Sequence, residues 1–266
     1  MIPEQPATLA VAPDVALESR LAVPPGAPAG VVICHPHPLY GGDMDNPVVV
    51  RVQQVCADLG LATLRFNFRG VGGSSGTHGG GGAEQDDARA ALDALSAATG
   101  ARPLAIAGYS FGAWVAALVG YHDARVTALA LIAPPLAMYD FGGVEGKRVP
   151  TLAVAGSADP YCPAGDFQRF TERFAWVTPA VIEGADHFFF GKLYPLGEAV
   201  GGWARGGSLR ERVRSASGGE APLRVYPRGR RAGVAFPAER MMRIPSSTVS
   251  PVAMTLSRST TTTSPR

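Results

Sequence analysis

The pentapeptide Gly108-Tyr109-Ser110-Phe111-Gly112 stands where an apolar run, Pro103 to Ala107, gives way to a helical pattern, Ala113 to Val119. A strand that turns into a helix through Gly-x-Ser-x-Gly holds the serine in a strained backbone, with its hydroxyl clear of the sheet. Glycine is needed two residues either side, because a larger side chain there would strike the neighbouring strand or helix. Five residues with three fixed positions recur by chance. The strand and helix around them are what tie this chain to an α/β architecture.

The remaining sequence alternates in the same manner. Ala16 to Val23 alternates weakly, as an early strand. Gly30-Val31-Val32-Ile33-Cys34, Leu61 to Asn67, Val126 to Ala133, Pro150 to Ala155 and Val181-Ile182-Glu183 read as further strands. Asn46-Pro47 reads as a helix N-cap followed by proline at the first helical position. Residues 83–98 carry Ala88, Ala91, Leu92 and Leu95 at helical spacing, and Phe167, Phe170 and Phe174 mark another helix. Strands alternating with helices predict crossover units and a parallel sheet.

Active groups in such sheets gather at the carboxyl ends of strands. Asp159 follows the strand ending near Ala155, and His187 follows the one ending at Glu183, so a serine, an acid and a histidine occur in the order Ser…Asp…His. In that constellation neutral His187 takes the proton of Ser110 as it attacks a carbonyl, and Asp159 orients the imidazole. Asp140 and Asp166 are rival acids; Asp186 adjoins His187 and is poorly placed to bond its ring. The backbone N–H of Phe111, at the start of a helix, is the first oxyanion donor expected. The second should come from the loop His35-Pro36-His37-Pro38-Leu39-Tyr40. The prolines have no N–H, which leaves His37 first, with Leu39 and Tyr40 in reserve. A metal reading of His35 and His37 is disfavoured. Residues two apart in extended chain point to opposite sides, and no Cys or Glu cluster completes a ligand set. His35 is expected to hydrogen-bond backbone within its loop. No cofactor is expected.

The segments His35–Gly42 with Asp45-Asn46, Leu64–Gly72 ahead of Ser74, Gly108–Gly112, Gly156–Asp159 and Gly184–Phe190 resemble the small lidless α/β-hydrolases. The resemblance is to a bacterial group of predicted hydrolases distantly similar to dienelactone hydrolases and acyl-peptidases. It spans about residues 15–204. It implies the α/β-hydrolase fold, a mainly parallel central sheet with helices on both faces, and nucleophile, acid and base at Ser110, Asp159 and His187. Dienelactone hydrolases carry cysteine where this chain has Ser110, which argues against a dienelactone substrate. The expected activity is hydrolysis of small carboxylic esters through an acyl-enzyme. A peptidase or amidase on the same residues, or a catalytically silent scaffold of this fold, are the alternatives.

Only about seventeen residues separate Ala133 from Thr151, where larger relatives place a cap domain, so an open site is expected, with Tyr40, Phe111, Met138, Tyr139 and Phe188 as candidate apolar walls. Residues 70–82 contain eight glycines and are expected to form a mobile loop at the pocket edge or a surface loop without a role. Arg69 is expected to brace loops through backbone carbonyls, or else to bind a substrate carboxylate.

Met1 to Pro6 lacks the basic start and apolar core of a signal peptide, and no apolar run approaches the ~18 residues that span a membrane. Three cysteines, Cys34, Cys56 and Cys162, fit a reduced, cytoplasmic protein, with Cys162 either an exposed thiol near Asp159 or an incidental small residue. The net charge of +2 conceals an asymmetry. Residues 1–204 carry 12 basic and 19 acidic side chains, whereas residues 205–266 carry 12 arginines and 3 acids. The chain is therefore read as a hydrolase domain over 1–204 and an arginine-rich tail over 205–266. Little apolar periodicity in the tail suggests disorder without function. An out-of-frame or unselected extension is a second reading, and an arm that binds nucleic acid or another polyanion is a third.

Overall fold

The computed structural model describes residues 2–100, 102–142 and 148–206. Eight strands form one sheet in the order β1-β2-β4-β3-β5-β6-β7-β8. They are β1 (Gln5–Ala12), β2 (Val15–Ala22), β3 (Gly30–Cys34), β4 (Ala62–Phe66), β5 (Leu104–Tyr109), β6 (Val126–Ile132), β7 (Thr151–Gly156) and β8 (Val177–Ile182). β2 pairs antiparallel with both β1 and β4, and every other pairing is parallel. All residues of β3, β4, β5 and β7 are buried. β3 and β5 are accordingly apolar throughout, because a parallel strand covered by helices on both faces has no wet side, whereas β4 carries Thr63 and Arg65, the latter paired with Glu4.

The two faces carry separate cores. Helices α2 (Gly82–Thr99), α3 (Phe111–Gly120) and α4 (Ala164–Arg173) supply one of them through Leu92, Leu95, Val115, Val119, Phe167 and Phe170. Helices α1 (Pro47–Asp58) and α5 (Leu193–Arg205) cover the other through Val48, Val49, Val52, Leu196 and Val200. Asn46 caps α1 by accepting the Val48 N–H at 3.0 Å, with Pro47 at the first helical position. Phe174 lies just beyond α4 in extended backbone, yet its ring still enters the same core.

Sequence patterning overlooked β1. It is an edge strand whose only buried residue is Leu9, it contains Pro6, and its register shifts between Ala10 and Ala12. Such a strand exists through pairing with β2, so its own residues carry little periodicity. Among the described residues no helix is long and apolar enough to cross a membrane. The tail readings for 205–266, from residue 207 onward, lie outside the described residues.

Candidate active site

Ser110 occupies the turn from β5 into α3 with φ 54° and ψ −120°, a strained backbone for a residue with a side chain. The flanking glycines make the turn feasible. A Cβ on Gly108 would lie 2.1 Å from the carbonyl oxygen of Gly112, and one on Gly112 would lie 2.4 Å from the carbonyl oxygen of Cys34. The Ser110 N–H donates to the carbonyl of Ile132 at 2.9 Å, which ties the turn to the end of β6.

Three strand ends bring the predicted polar side chains together. His187 Nε2 lies 2.9 Å from Ser110 Oγ, and His187 Nδ1 lies 2.8 Å from Asp159 Oδ2. Asp159 and His187 are buried. The other carboxylate oxygen of Asp159 accepts the N–H groups of Tyr161 and Cys162 at 2.8 and 3.2 Å. Both oxygens are thereby engaged, and the carboxylate is fixed toward the imidazole. Asp140 and Asp166 do not reach it: Asp140 accepts the Gly142 N–H at 2.6 Å, and Asp166 pairs with Arg169. Asp186 caps its own loop, accepting from Phe188 and Phe190.

The loop bearing His187 is held from beneath. Tyr109 Oη donates to the His187 carbonyl at 3.0 Å, and the Tyr161 ring meets the imidazole edge-on at 4.7 Å. The end of β7 closes against the same loop: a Cβ on Gly156 would lie 2.3 Å from the Ala185 carbonyl oxygen. Sequence reasoning missed Tyr109 and Tyr161, because each belongs to a local pattern (strand end, turn) that explains it without reference to His187.

The loop after β3 faces Ser110 across the cleft. His35 is buried and bonded at both nitrogens, with Nδ1 donating to the Pro36 carbonyl at 2.6 Å and Nε2 accepting the Phe68 N–H at 2.9 Å. It bonds its own loop, as expected, and the loop after β4 as well. Burial, reinforced by His37 and opposed by the Pro36 bond, lowers its pKa to about 4. The N–H groups of Leu39 and Tyr40 are already spent, on His37 Nδ1 at 3.2 Å and the His37 carbonyl at 3.1 Å. Among the described residues, no acceptor engages the N–H of His37 or that of Phe111 at the head of α3. Both residues line the same cleft as Ser110.

That cleft has a volume of about 410 Å³, and Tyr40, Met138, Tyr139 and Phe188 all line it, joined by Pro135, Tyr109 and Tyr161. Among the described residues, no Asp, Glu, Lys or Arg lines it. Tyr139 stacks on Trp114 with centroids 4.6 Å apart, whereas Tyr40 is 80% exposed at the mouth.

The glycine-rich loop differs from expectation. It is pinned: Ser74 Oγ donates to the Asn67 carbonyl at 2.7 Å, the Gly73 N–H donates to Glu18 at 2.8 Å, and Glu84 accepts from Gly79 and Gly81. None of residues 70–82 lines the cleft. Arg69 braces this region through an ion pair with buried Asp87 at 2.6 Å, where a backbone carbonyl had been expected as its partner. Cys162 is buried, so the exposed-thiol reading fails, and burial pushes its thiol pKa up. Among the described residues no cluster of His, Cys, Asp and Glu could hold a metal ion.

Comparison with known proteins identifies the family. Residues 46–141 match the family model for serine aminopeptidases of the S33 group. The chain is 36% identical over 200 residues to the uncharacterized protein RP471 of Rickettsia prowazekii, covering 71% of this chain and 84% of that one. A Xanthomonas campestris α/β serine hydrolase without a lid superposes with a TM-score of 0.70 at 30% identity, over 77% of this chain and 95% of that one. An α/β serine hydrolase homologue from Coxiella burnetii gives 0.69 at 35% identity, over 75% and 97%. By sequence and topology, the chain belongs to the α/β serine hydrolases without a lid.

Proposed function

We propose that the protein hydrolyses small, uncharged carboxylic esters through an acyl-enzyme on Ser110. The observation that carries this reading is the unbroken chain Ser110 Oγ–His187–Asp159, with contacts of 2.9 and 2.8 Å, opening into an uncharged aromatic cleft. His187 Nε2 accepts the hydroxyl proton while Oγ attacks the ester carbonyl. The negative charge on the carbonyl oxygen is met by the N–H groups of Phe111 and His37, reinforced by the positive end of α3. Asp159 accepts the Nδ1–H and stabilises the imidazolium. The imidazolium then protonates the departing alkoxide, leaving the acyl group on Ser110. Water, deprotonated by His187, cleaves the acyl-enzyme and restores the serine.

Ester cleavage is preferred over amide cleavage on two grounds. An amine leaving group must be protonated and demands more binding energy for distortion. A peptide amino terminus also calls for a carboxylate in the cleft, and none lines it among the described residues. The reading includes a cytoplasmic location, supported by three free, buried cysteines.

The test is labelling by a fluorophosphonate, followed by short-chain nitrophenyl esters assayed beside aminoacyl nitroanilides. Stoichiometric label on Ser110 and esters cleaved at least ~100-fold faster than anilides is the expected result. Faster anilide cleavage would establish a peptidase instead. A folded protein that takes up no label would be a scaffold.

A further inference from the structure

Glu84 is a completely buried carboxylate that the proposed chemistry does not use. Its Oε1 and Oε2 accept the N–H groups of Gly79 and Gly81 at 2.7 and 2.6 Å. Oε1 also lies 2.8 Å from His78 Nδ1, although the alignment is too poor for a hydrogen bond. Gly80 and Gly81 have φ of 67° and 98°, and a Cβ on Gly81 would lie 2.1 Å from the Trp114 ring, so the loop sits hard against α3.

This anchorage puts the His78 ring in a particular place. Its centroid is 4.9 Å from that of His37 and 5.5 Å from that of Phe111, while His37 and Phe111 are themselves 4.9 Å apart. The three rings form a closed triangle, and two of them belong to cleft-lining residues whose N–H groups have no acceptor among the described residues. The His37 ring also fixes its own backbone, because Nδ1 accepts the Leu39 N–H and caps the turn Pro38–Tyr40.

We propose that His78, anchored beside Glu84, is a positioning residue for the oxyanion hole: its ring holds the His37 ring against Phe111 so that the two N–H groups converge. This inference rests on the reading of Ser110 as nucleophile with His37 and Phe111 as donors. Rotation of the His37 ring would break the cap on Leu39 and swing the His37 N–H away. Stabilisation of the oxyanion exists in the transition state and is absent from the ground state, so the loss would fall on kcat and spare KM.

The test compares His78→Asn, which keeps a nitrogen near Glu84 and loses the ring, with His78→Phe, which keeps a ring and loses the nitrogen. Full-length proteins are compared below their melting transitions. Readouts are kcat and KM for a nitrophenyl ester, the rate of Ser110 labelling by a fluorophosphonate, and the affinity for phenylboronic acid, whose tetrahedral serine adduct occupies the hole. Removing a whole donor typically costs 10²–10³ in kcat. A displaced donor should therefore cost His78→Asn about tenfold in kcat, with KM within about twofold and a parallel loss of labelling rate and boronate affinity. His78→Phe should recover most of that loss. If His78→Asn does not fold, His78→Leu replaces it as the variant without a ring. Wild-type labelling and boronate affinity in a folded variant lacking the ring, or equal impairment of the ringless and Phe variants, would overturn the inference alone. A wild-type protein that takes no label at Ser110 would overturn the hydrolase reading together with it.

Discussion

The two walls of the cleft are built on different principles. On one side, Ser110, His187 and Asp159 touch side chain to side chain, and the proposed chemistry depends on the type of each of them. On the opposite side the proposed donors are the backbone N–H groups of His37 and Phe111, which no acceptor among the described residues engages, and side chains would act by fixing where that backbone lies. Substitution on the first wall removes a reacting group. Substitution on the second displaces one, or loosens the loops that hold it. The first wall should therefore fail abruptly in activity, and the second by degrees in activity or stability.

The sharpest probe of the first wall is Ser110→Ala. Loss of the nucleophile from a comparable serine triad costs on the order of 10⁶ in kcat, and steady-state ester hydrolysis by the purified variant measures it. A loss of tenfold or less would mean that the nucleophile lies elsewhere. Asp159→Asn comes next. An amide in that position favours the wrong imidazole tautomer and should lower kcat by about 10⁴ with the fold intact. Single-turnover acylation rates provide the measurement. His187 has other supports, the Tyr109 hydroxyl under its carbonyl and the Tyr161 ring beside its imidazole. Should Asp159→Asn retain a tenth of the activity, these neutral supports would suffice to orient the ring, and the contrast between the walls would narrow.

This difference also explains what could be read from the chain before its fold was known. Ser110, Asp159 and His187 were legible because side-chain chemistry requires particular residue types at strand ends, in a characteristic order. The apolar strands β3, β5 and β7 were legible because burial on both faces leaves unbroken runs. His37 as a donor came only by elimination of prolines. Its reserves, Leu39 and Tyr40, were excluded by hydrogen bonds that no sequence pattern announces. The hydrogen bonds that hold the glycine-rich loop were hidden for the same reason. Its anchors include Glu18, some 55 positions from Gly73, and Glu84, whose role depends on left-handed backbone at Gly80 and Gly81. Glycine content speaks of conformational freedom in the unfolded chain and is silent about what a folded neighbour does with it. Arg69 and His78 were obscured likewise, since their partners Asp87 and Glu84 sit on α2.

Arg69→Met tests whether that anchorage supports the second wall. It leaves Asp87, completely buried, without its guanidinium. Burial already pushes the Asp87 carboxyl upward against the opposing pull of Arg69. Breaking a buried pair on one side costs about 3–5 kcal/mol, and urea denaturation at pH 7 should show a loss of that size. Because Arg69 bonds Asp87 of α2 through both its N–H and its guanidinium and is absent from the cleft lining, kcat below the melting transition should change far less than in Asp159→Asn. A large drop in kcat with unchanged stability would instead make Arg69 part of the chemistry and dissolve the distinction drawn between the walls.

The smallest expected effect comes from pH acting on His35, which joins the loop after β3 to the loop after β4. Its Nε2 accepts the Phe68 N–H, so the native state requires the neutral ring, and its pKa falls from 6.5 to about 4 on folding. The unfolded chain then binds the proton more readily than the folded one. The contribution is complete above pH 6.5 and shrinks as pH falls toward 4. Each pKa unit is worth about 1.4 kcal/mol, so lowering pH from 7 to 5 should remove roughly 2 kcal/mol of stability. Comparison with His35→Gln, which can still donate and accept but cannot titrate here, isolates this share from that of the carboxylates. Wild-type and variant stabilities that run parallel between pH 7 and 5 would show that His35 does not carry the linkage. A difference that closes by about 2 kcal/mol would show that the loop of the proposed backbone donors rests on an uncharged histidine, whereas the chemistry proposed for the opposite wall charges one.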